Sequence, residues 1–151
     1  MGNASIPLHA VVSAATDDPS MLLVSCHDTL ERSVCVVDLE GRQYHEPICC
    51  GAGRLSAEAG RSYDPEGLAV MSNPPCVLVT DSANDRIVVL GRSLDRARSL
   101  PLNLKKQGEL REPVAVCVDE SRGRLYVGEN GGQRRVLVFK GVADVASLFD
   151  E

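Results

Sequence analysis

Tryptophan is absent from this chain, and three tyrosines and two phenylalanines hold aromatic content to 3%. Surfaces that stack nucleic-acid bases need such rings, so a stacking platform is poorly provided for. Basic excess is missing too: Lys and Arg number 16 against 21 Asp and Glu, for a net charge of -5. That balance disfavours a strongly electrostatic nucleic-acid binder while leaving room for a local basic patch. No apolar run approaches the roughly 18 residues that span a bilayer. No Cys-x-x-Cys pair occurs among the six cysteines, which excludes a zinc ribbon or RING-type site. There is no Gly-x-Ser-x-Gly nucleophile turn. The one glycine-rich candidate for a phosphate loop, Gly51-Ala52-Gly53, follows Cys49-Cys50, has no helical pattern after it and reads as a linker.

The first residues, Met1 to Ile6, lack the basic region and apolar stretch of a secretory signal. Gly2 does not make a myristoylation motif, because Ile6 stands where Ser or Thr is wanted. Cys35 and Cys117 lie inside apolar strand-like runs, where a free thiol behaves as a small hydrophobe. Reduced, buried thiols and a cytoplasmic location are therefore expected.

At 151 residues, 44% apolar and 25% charged, the chain is long enough to bury one core. Its apolar runs are short, rich in Val, Leu and Ile, and bounded by Gly, Pro, Asn, Asp or Ser, which is the strand signature. A pattern then recurs. Asp64-Pro65-Glu66-Gly67-Leu68-Ala69-Val70 leads to Val77-Leu78-Val79-Thr80-Asp81 and Arg86-Ile87-Val88-Val89-Leu90; Pro113 to Val118 leads to Leu125 to Glu129 and Arg135 to Phe139. Pro65 and Pro113 are 48 residues apart. A fainter copy begins at Pro7 and runs through Leu22 to Ser25 and Arg32 to Asp38, with extra residues confined to turn-like stretches. Repetition at this period implies stacked similar units. In the second unit the expected strands are 67–71, 76–81, 86–91 and 98–103, and in the first a fourth strand is expected over 43–50.

Tight turns between consecutive strands imply antiparallel meanders. The first strand of each unit alternates small residues with Val, Leu or Met: Gly67, Ala69 and Met71 against Leu68 and Val70, then Ala115 and Cys117 against Val116 and Val118. Small side chains suit a strand crowded near a central axis, the geometry of a β-propeller. The competing reading is a β-sandwich with two similar hairpins. Beyond Gly141, the spacing of Val142, Val145, Ala146 and Phe149 fits either a closing helix or a ragged fourth strand.

These residues resemble the NHL repeat, whose unit runs Pro-x-Gly-Ile/Leu-Ala-Val, then an apolar strand ending in Asp-Ser/Thr, then Asn-x-Arg-Val/Ile. The second unit carries Pro65, Gly67, Leu68, Ala69, Val70, Asp81, Ser82, Asn84, Arg86, Ile87, Val89 and Leu90 at the matching places. The third departs at Ala115, which replaces the glycine, and at Asn130-Gly131-Gly132-Gln133 in its loop. The resemblance implies an all-β fold, a partial β-propeller of about three four-stranded antiparallel blades, half of a six-bladed ring. The blades would span 5–50, 63–104 and 111–151 of a single segment. A half ring leaves sheet faces open, so two chains pairing into a ring, a missing remainder of a longer product, or an open arc capped by its ends are the available outcomes.

Asp81, Asn84 and Arg86 flank a tight loop and are expected to hold it, the carboxylate capping backbone amides and pairing with the guanidinium. The loops entering strand 1 and joining strands 2 and 3 emerge at one end of such a fold. They carry Arg32, Arg61, Tyr63, Arg86, Arg111, Arg134 and Arg135, a rim that would suit an acidic peptide or an RNA backbone. Acidic neighbours, among them Asp64, Asp85, Glu109, Glu112 and Glu129, dilute its charge. His9, His27 and His45 recur every 18 residues but read as isolated histidines. No metal or other cofactor is expected, and neither is catalysis. The leading expectation is a module binding a protein partner, which the resemblance links to substrate recognition in ubiquitin ligation. RNA binding is the first alternative, and a metal-dependent lyase or lactonase the second.

Overall fold

The computed structural model describes residues 8–13, 21–27, 32–38, 48–49, 64–91, 97–102, 108–140 and 145. These form three antiparallel sheets. The first holds β1 (Leu8–Ser13), β2 (Met21–His27), β3 (Arg32–Asp38) and β4 (Ile48–Cys49), paired in that order. The second holds β5 (Pro65–Ser72), β6 (Pro75–Asp81), β7 (Arg86–Gly91) and β8 (Ala97–Ser99), again in chain order. The third holds β9 (Pro113–Asp119), β10 (Arg124–Glu129) and β11 (Val136–Lys140). The faint first copy of the repeat thus folds as a four-stranded meander like the second.

The first strand of each sheet meets its neighbours: β5 packs against both β1 and β9. That places β1, β5 and β9 at a shared inner edge, with the remaining strands fanning outward. Gly67 shows why small residues are needed there. A Cβ at Gly67 would lie 2.8 Å from the Val114 carbonyl oxygen and 2.9 Å from Ala115 Cα, contacts with backbone that cannot give way. Gly67 also lies within the register shift between Pro65 and Leu68, and its N–H is satisfied by Thr80 Oγ1 at 2.7 Å.

Side chains alternate across each strand, so each sheet has two faces to cover. Met71, Leu78, Ile87 and Val89 of the second sheet meet Leu125, Val127, Leu137 and Phe139 of the third in one core, joined by Leu110 and Val145. The opposite face of the second sheet buries Val77, Val79, Val88 and Leu90. On the first sheet, the Ser25 hydroxyl donates to the Glu66 carbonyl at 3.1 Å, tying it to the second.

The fourth strand of the second sheet ends earlier than its expected 98–103. Leu100 N still donates to the Ile87 carbonyl at 2.8 Å, and Pro101 follows at a position whose N–H side faces away from β7, where an edge strand tolerates proline. In the first sheet, the described part of the expected 43–50 strand is Ile48–Cys49. Of the stretch beyond Gly141, only Val145 is described, and it is buried in the core cluster; the choice between helix and strand there lies outside the described residues. Among the described residues, no helix is long and apolar enough to cross a membrane.

Candidate functional site

The loop joining β6 to β7 is built around one buried carboxylate. Asp81 has no solvent exposure and accepts four hydrogen bonds. They come from Asp64 N at 3.1 Å, from Asn84 Nδ2 at 2.9 Å to each oxygen, and from Arg86 Nε at 2.7 Å. Between its donors the chain makes a single 3-10 turn, Ser82–Asn84, and leaves it at Asp85 in the left-handed region, φ 52°. Asp81, Asn84 and Arg86 are therefore the fastening of this loop.

The third sheet repeats the fastening with a longer arm. Glu129, 48 residues on, is buried and accepts from Arg111 N at 3.1 Å and from Arg135 Nε at 2.8 Å. Arg135 also donates to the Glu109 carbonyl at 3.4 Å. Gly131 passes close to Arg111, where a Cβ would come within 3.0 Å of the Arg111 Cβ.

These two loops meet at one end of the molecule. The Asp85 carboxylate accepts from Glu112 N at 2.7 Å and lies 3.7 Å from the Arg111 guanidinium, which also pairs with Glu109. Between them lies an open depression of about 450 Å³, lined by Asp64, Asp85, Arg111, Glu112 and the Gly131-Gly132 backbone. Its lining carries three carboxylates and one guanidinium.

The arginine rim expected from sequence is thereby redistributed. Arg86 and Arg135 are turned inward onto Asp81 and Glu129. Arg111 stays half-exposed at the depression, bracketed by acids. Arg134 is exposed, with φ 50°. Arg32 opens β3, and its side chain lies outside the described residues, as do Arg61 and Tyr63 altogether. Sequence reasoning treated the acids as dilution of a basic rim. In the folded chain they hold that rim, and the surplus charge facing the depression is negative. The signal was present in the sequence, since Asp81 stands five residues before Arg86 and Glu129 six before Arg135.

The opposite end carries a different tie. Glu120, in the β9–β10 turn, accepts from Ser72 N at 2.8 Å and Asn73 N at 3.1 Å, joining the third sheet to the β5–β6 turn. The Ser72 N–H bond is the first cause that holds its carboxyl below the usual range. Asp119 beside it is pulled down to about 2, first by the Ser121 hydroxyl and then by the Arg122 side chain. Burial pushes the Cys76 thiol up to about 11, with Glu120 adding to the rise. Among the described residues, no three His, Cys, Asp or Glu side chains converge as a metal site would require. The side chains of His9 and His27, and all of His45, lie outside the described residues.

No protein-family model matches this chain, and no curated protein matches it. Solved structures do. A chain in the crystal structure of a nidogen/laminin complex superposes with a TM-score of 0.62 at 14% identity, covering 93% of this chain and 45% of that one. A catalytically inactive virginiamycin B lyase from Staphylococcus aureus, solved with quinupristin, superposes at a TM-score of 0.42 and 11% identity, covering 93% of this chain and 57% of the lyase. This chain thus spans about half the length of these neighbours. The first likeness, with the radial sheets described above, makes the fold a partial β-propeller.

Proposed function

We propose that this chain is a non-enzymatic interaction module of the propeller type, and that its loop end grips a segment of a protein partner. The observation that carries this reading is the 450 Å³ depression between the second and third sheets, framed by loops whose buried carboxylates fix their shape. Loops held by a rigid scaffold are where binding surfaces are commonly built. The three carboxylates against one guanidinium in the lining favour a segment bearing Lys or Arg. A polyanion is disfavoured, because Arg86 and Arg135 are spent on buried partners and Arg111 is flanked by acids. The resemblance to the NHL repeat adds a finer suggestion: the gripped segment belongs to a substrate of ubiquitin ligation, with the ligase activity on another domain or chain. A cytoplasmic setting is proposed with it, on the reduced thiols expected from the sequence.

The test uses fluorescent peptides of equal length, one rich in Lys and Arg, one neutral and one rich in Glu, together with single-stranded RNA. The basic peptide is expected to bind, and to weaken as salt rises. D85N/E112Q is expected to abolish that preference while Asp81 and Glu129 keep the loops in place. Equal binding of all three peptides, or RNA binding at low salt that fades as salt rises, overturns the reading.

A further inference from the structure

The second sheet shows what a face needs when another sheet of the stack covers it. Its row Met71, Cys76 and Gly91 is apolar or small, Met71 and Cys76 are buried, and Leu78 in the next row has no exposure. The positions 48 or 49 residues on make the outward face of the third sheet. Leu125, Leu137 and Phe139 turn into the core, so Arg124, Tyr126, Val136, Val138 and Lys140 between and beside them turn away from it. Val136 is 66% exposed and Val138 38%. Cys117 on the same face is exposed too, against the buried thiol that its apolar run suggests. Exposed apolar side chains gathered in one patch mark a contact surface.

The face differs from its counterpart where another blade would have to fit. Ala115 stands in the place of Gly67 and carries the Cβ that at Gly67 would lie 2.8 Å from the facing carbonyl oxygen. A further unit cannot approach it as β9 approaches β5. Tyr126 stands in the place of Leu78 and brings a hydroxyl. The row Met71, Cys76 and Gly91 becomes Asp119, Arg124 and Lys140. Asp119 is already held, by the Ser121 hydroxyl at 2.6 Å and the Arg122 guanidinium at 2.8 Å. Arg124 and Lys140 stand in no ion pair among the described residues. The face is therefore apolar over its middle rows and cationic at its far end. A second copy would bring the same cations and no carboxylate that is not already held.

The strands set the size of what fits. β9, β10 and β11 at about 4.8 Å spacing make a face about 10 Å across, the width of one helix. From Gly128 to Arg124 the face runs four residues along β10, about 13 Å, which is about nine residues of helix. An apolar stripe of that length covers the valines and Tyr126, and acids at its end reach the cations. We infer that the outward face of the third sheet docks an amphipathic helix of a protein partner, its apolar stripe on Val136 and Val138 and its terminal carboxylates on Arg124 and Lys140. No residue of this face lines the loop-end depression, and the charge it selects is the opposite one.

The probe is a displayed library of helical peptides with Leu fixed at i, i+3, i+4 and i+7 and the other positions random, selected on the whole chain. Enriched clones are expected to carry Asp or Glu at one end of the stripe. Val136→Glu, at an exposed site, is expected to abolish their binding with an unchanged circular-dichroism melt. R124E/K140E is expected to weaken binding roughly tenfold and to prefer the same clones with Lys in place of the acids. D85N/E112Q is expected to leave binding as it is, which separates this surface from the loop end. The absence of enriched clones, clones without the terminal acids, or binding unmoved by R124E/K140E overturns the inference. So does loss of binding in D85N/E112Q. Light scattering that gives the native chain twice its 16.2 kDa, reversed by Val136→Glu, assigns the face to a second copy and also overturns it. Displacement of the clones by single-stranded RNA assigns the cations to phosphate with the same result.

Discussion

Removing the Asp81 carboxylate tests whether the loop fastening is an energetic keystone or ornament. Asp81→Asn keeps the volume and one carbonyl acceptor but places an amide where Asn84 and Arg86 both donate. Arg86 has only 16% side-chain exposure and loses its ionic partner. Breaking a buried pair on one side costs about 3–5 kcal/mol, because the surviving charge stays desolvated. The residual exposure of Arg86 puts the expected loss near the bottom of that range, about 3 kcal/mol. For a domain of this size that lowers Tm by roughly 6–12 °C. Urea unfolding of four proteins, native, Asp81→Ala, Arg86→Ala and the double variant, isolates the pair. The double variant should lose less than the two single losses added together, by about 2 kcal/mol, since it leaves no stranded charge. A single-variant loss under about 1 kcal/mol, the scale of an exposed ion pair, refutes the argument. So does a cycle in which the two losses simply add.

Gly67→Ala is expected to cost about 1–3 kcal/mol by forcing a Cβ into the β9 backbone. Gly123→Ala meets no atom within 4 Å and is strained only by its φ of 58°, so it should cost about 1 kcal/mol; thermal melts that rank the two in the reverse order contradict the crowded inner edge. Asp119 titrates in the folded chain at about 2 against an ordinary 3.8. Its folded value is the lower one, so its contribution to stability is complete above 3.8 and is lost as pH falls to about 2. Carboxyl NMR should show that midpoint, and Ser121→Ala should raise it; an unmoved midpoint would remove the hydroxyl as the leading cause.

The strands were legible because they follow a local rule. Val, Leu and Ile runs bounded by turn residues gave β5, β6 and β7 to within two residues, and the 48-residue recurrence gave the radial arrangement. The Gly67–Ala69 pattern also carried a tertiary fact, since a small residue in a strand otherwise built of large ones needs a close neighbour to explain it. Sequence was less informative where pairing depends on a partner far along the chain. Strand β8 stops at Ser99 although the apolar pattern continues through Leu100 and Leu102, and only the register shows where its pairing with β7 ends. The loop arginines were only partly legible as roles. Arg86 was expected to pair with Asp81 and does, whereas Arg135 reads as a rim charge until the fold turns it onto Glu129 six residues earlier, and Glu112 reads as a surface acid until its backbone N–H is found on Asp85.

That last bond shows how drift in a repeat becomes a tie between units. The backbone frame is conserved at an offset of 48: Ser82 N donates to the Asp64 carbonyl at 2.9 Å, and Asn130 N donates to the Glu112 carbonyl at 2.9 Å. Side chains within that frame differ. In the second unit Asp81 takes the N–H of Asp64. In the third, Glu129 is one methylene longer and takes the N–H of Arg111, one residue short of the corresponding position. The N–H at the corresponding position, Glu112, is left over, and Asp85 of the preceding unit takes it at 2.7 Å. The replacement of Asp by Glu therefore does more than preserve a fastening. It releases a donor to the neighbouring loop and joins the two loops across the depression they frame. Glu120 makes the matching join at the far end through Ser72 and Asn73. With both ends tied and the inner edge closed by Gly67 against β9, the second and third sheets hold the loop end in one shape, and a binding surface built there loses little conformational freedom when a partner arrives.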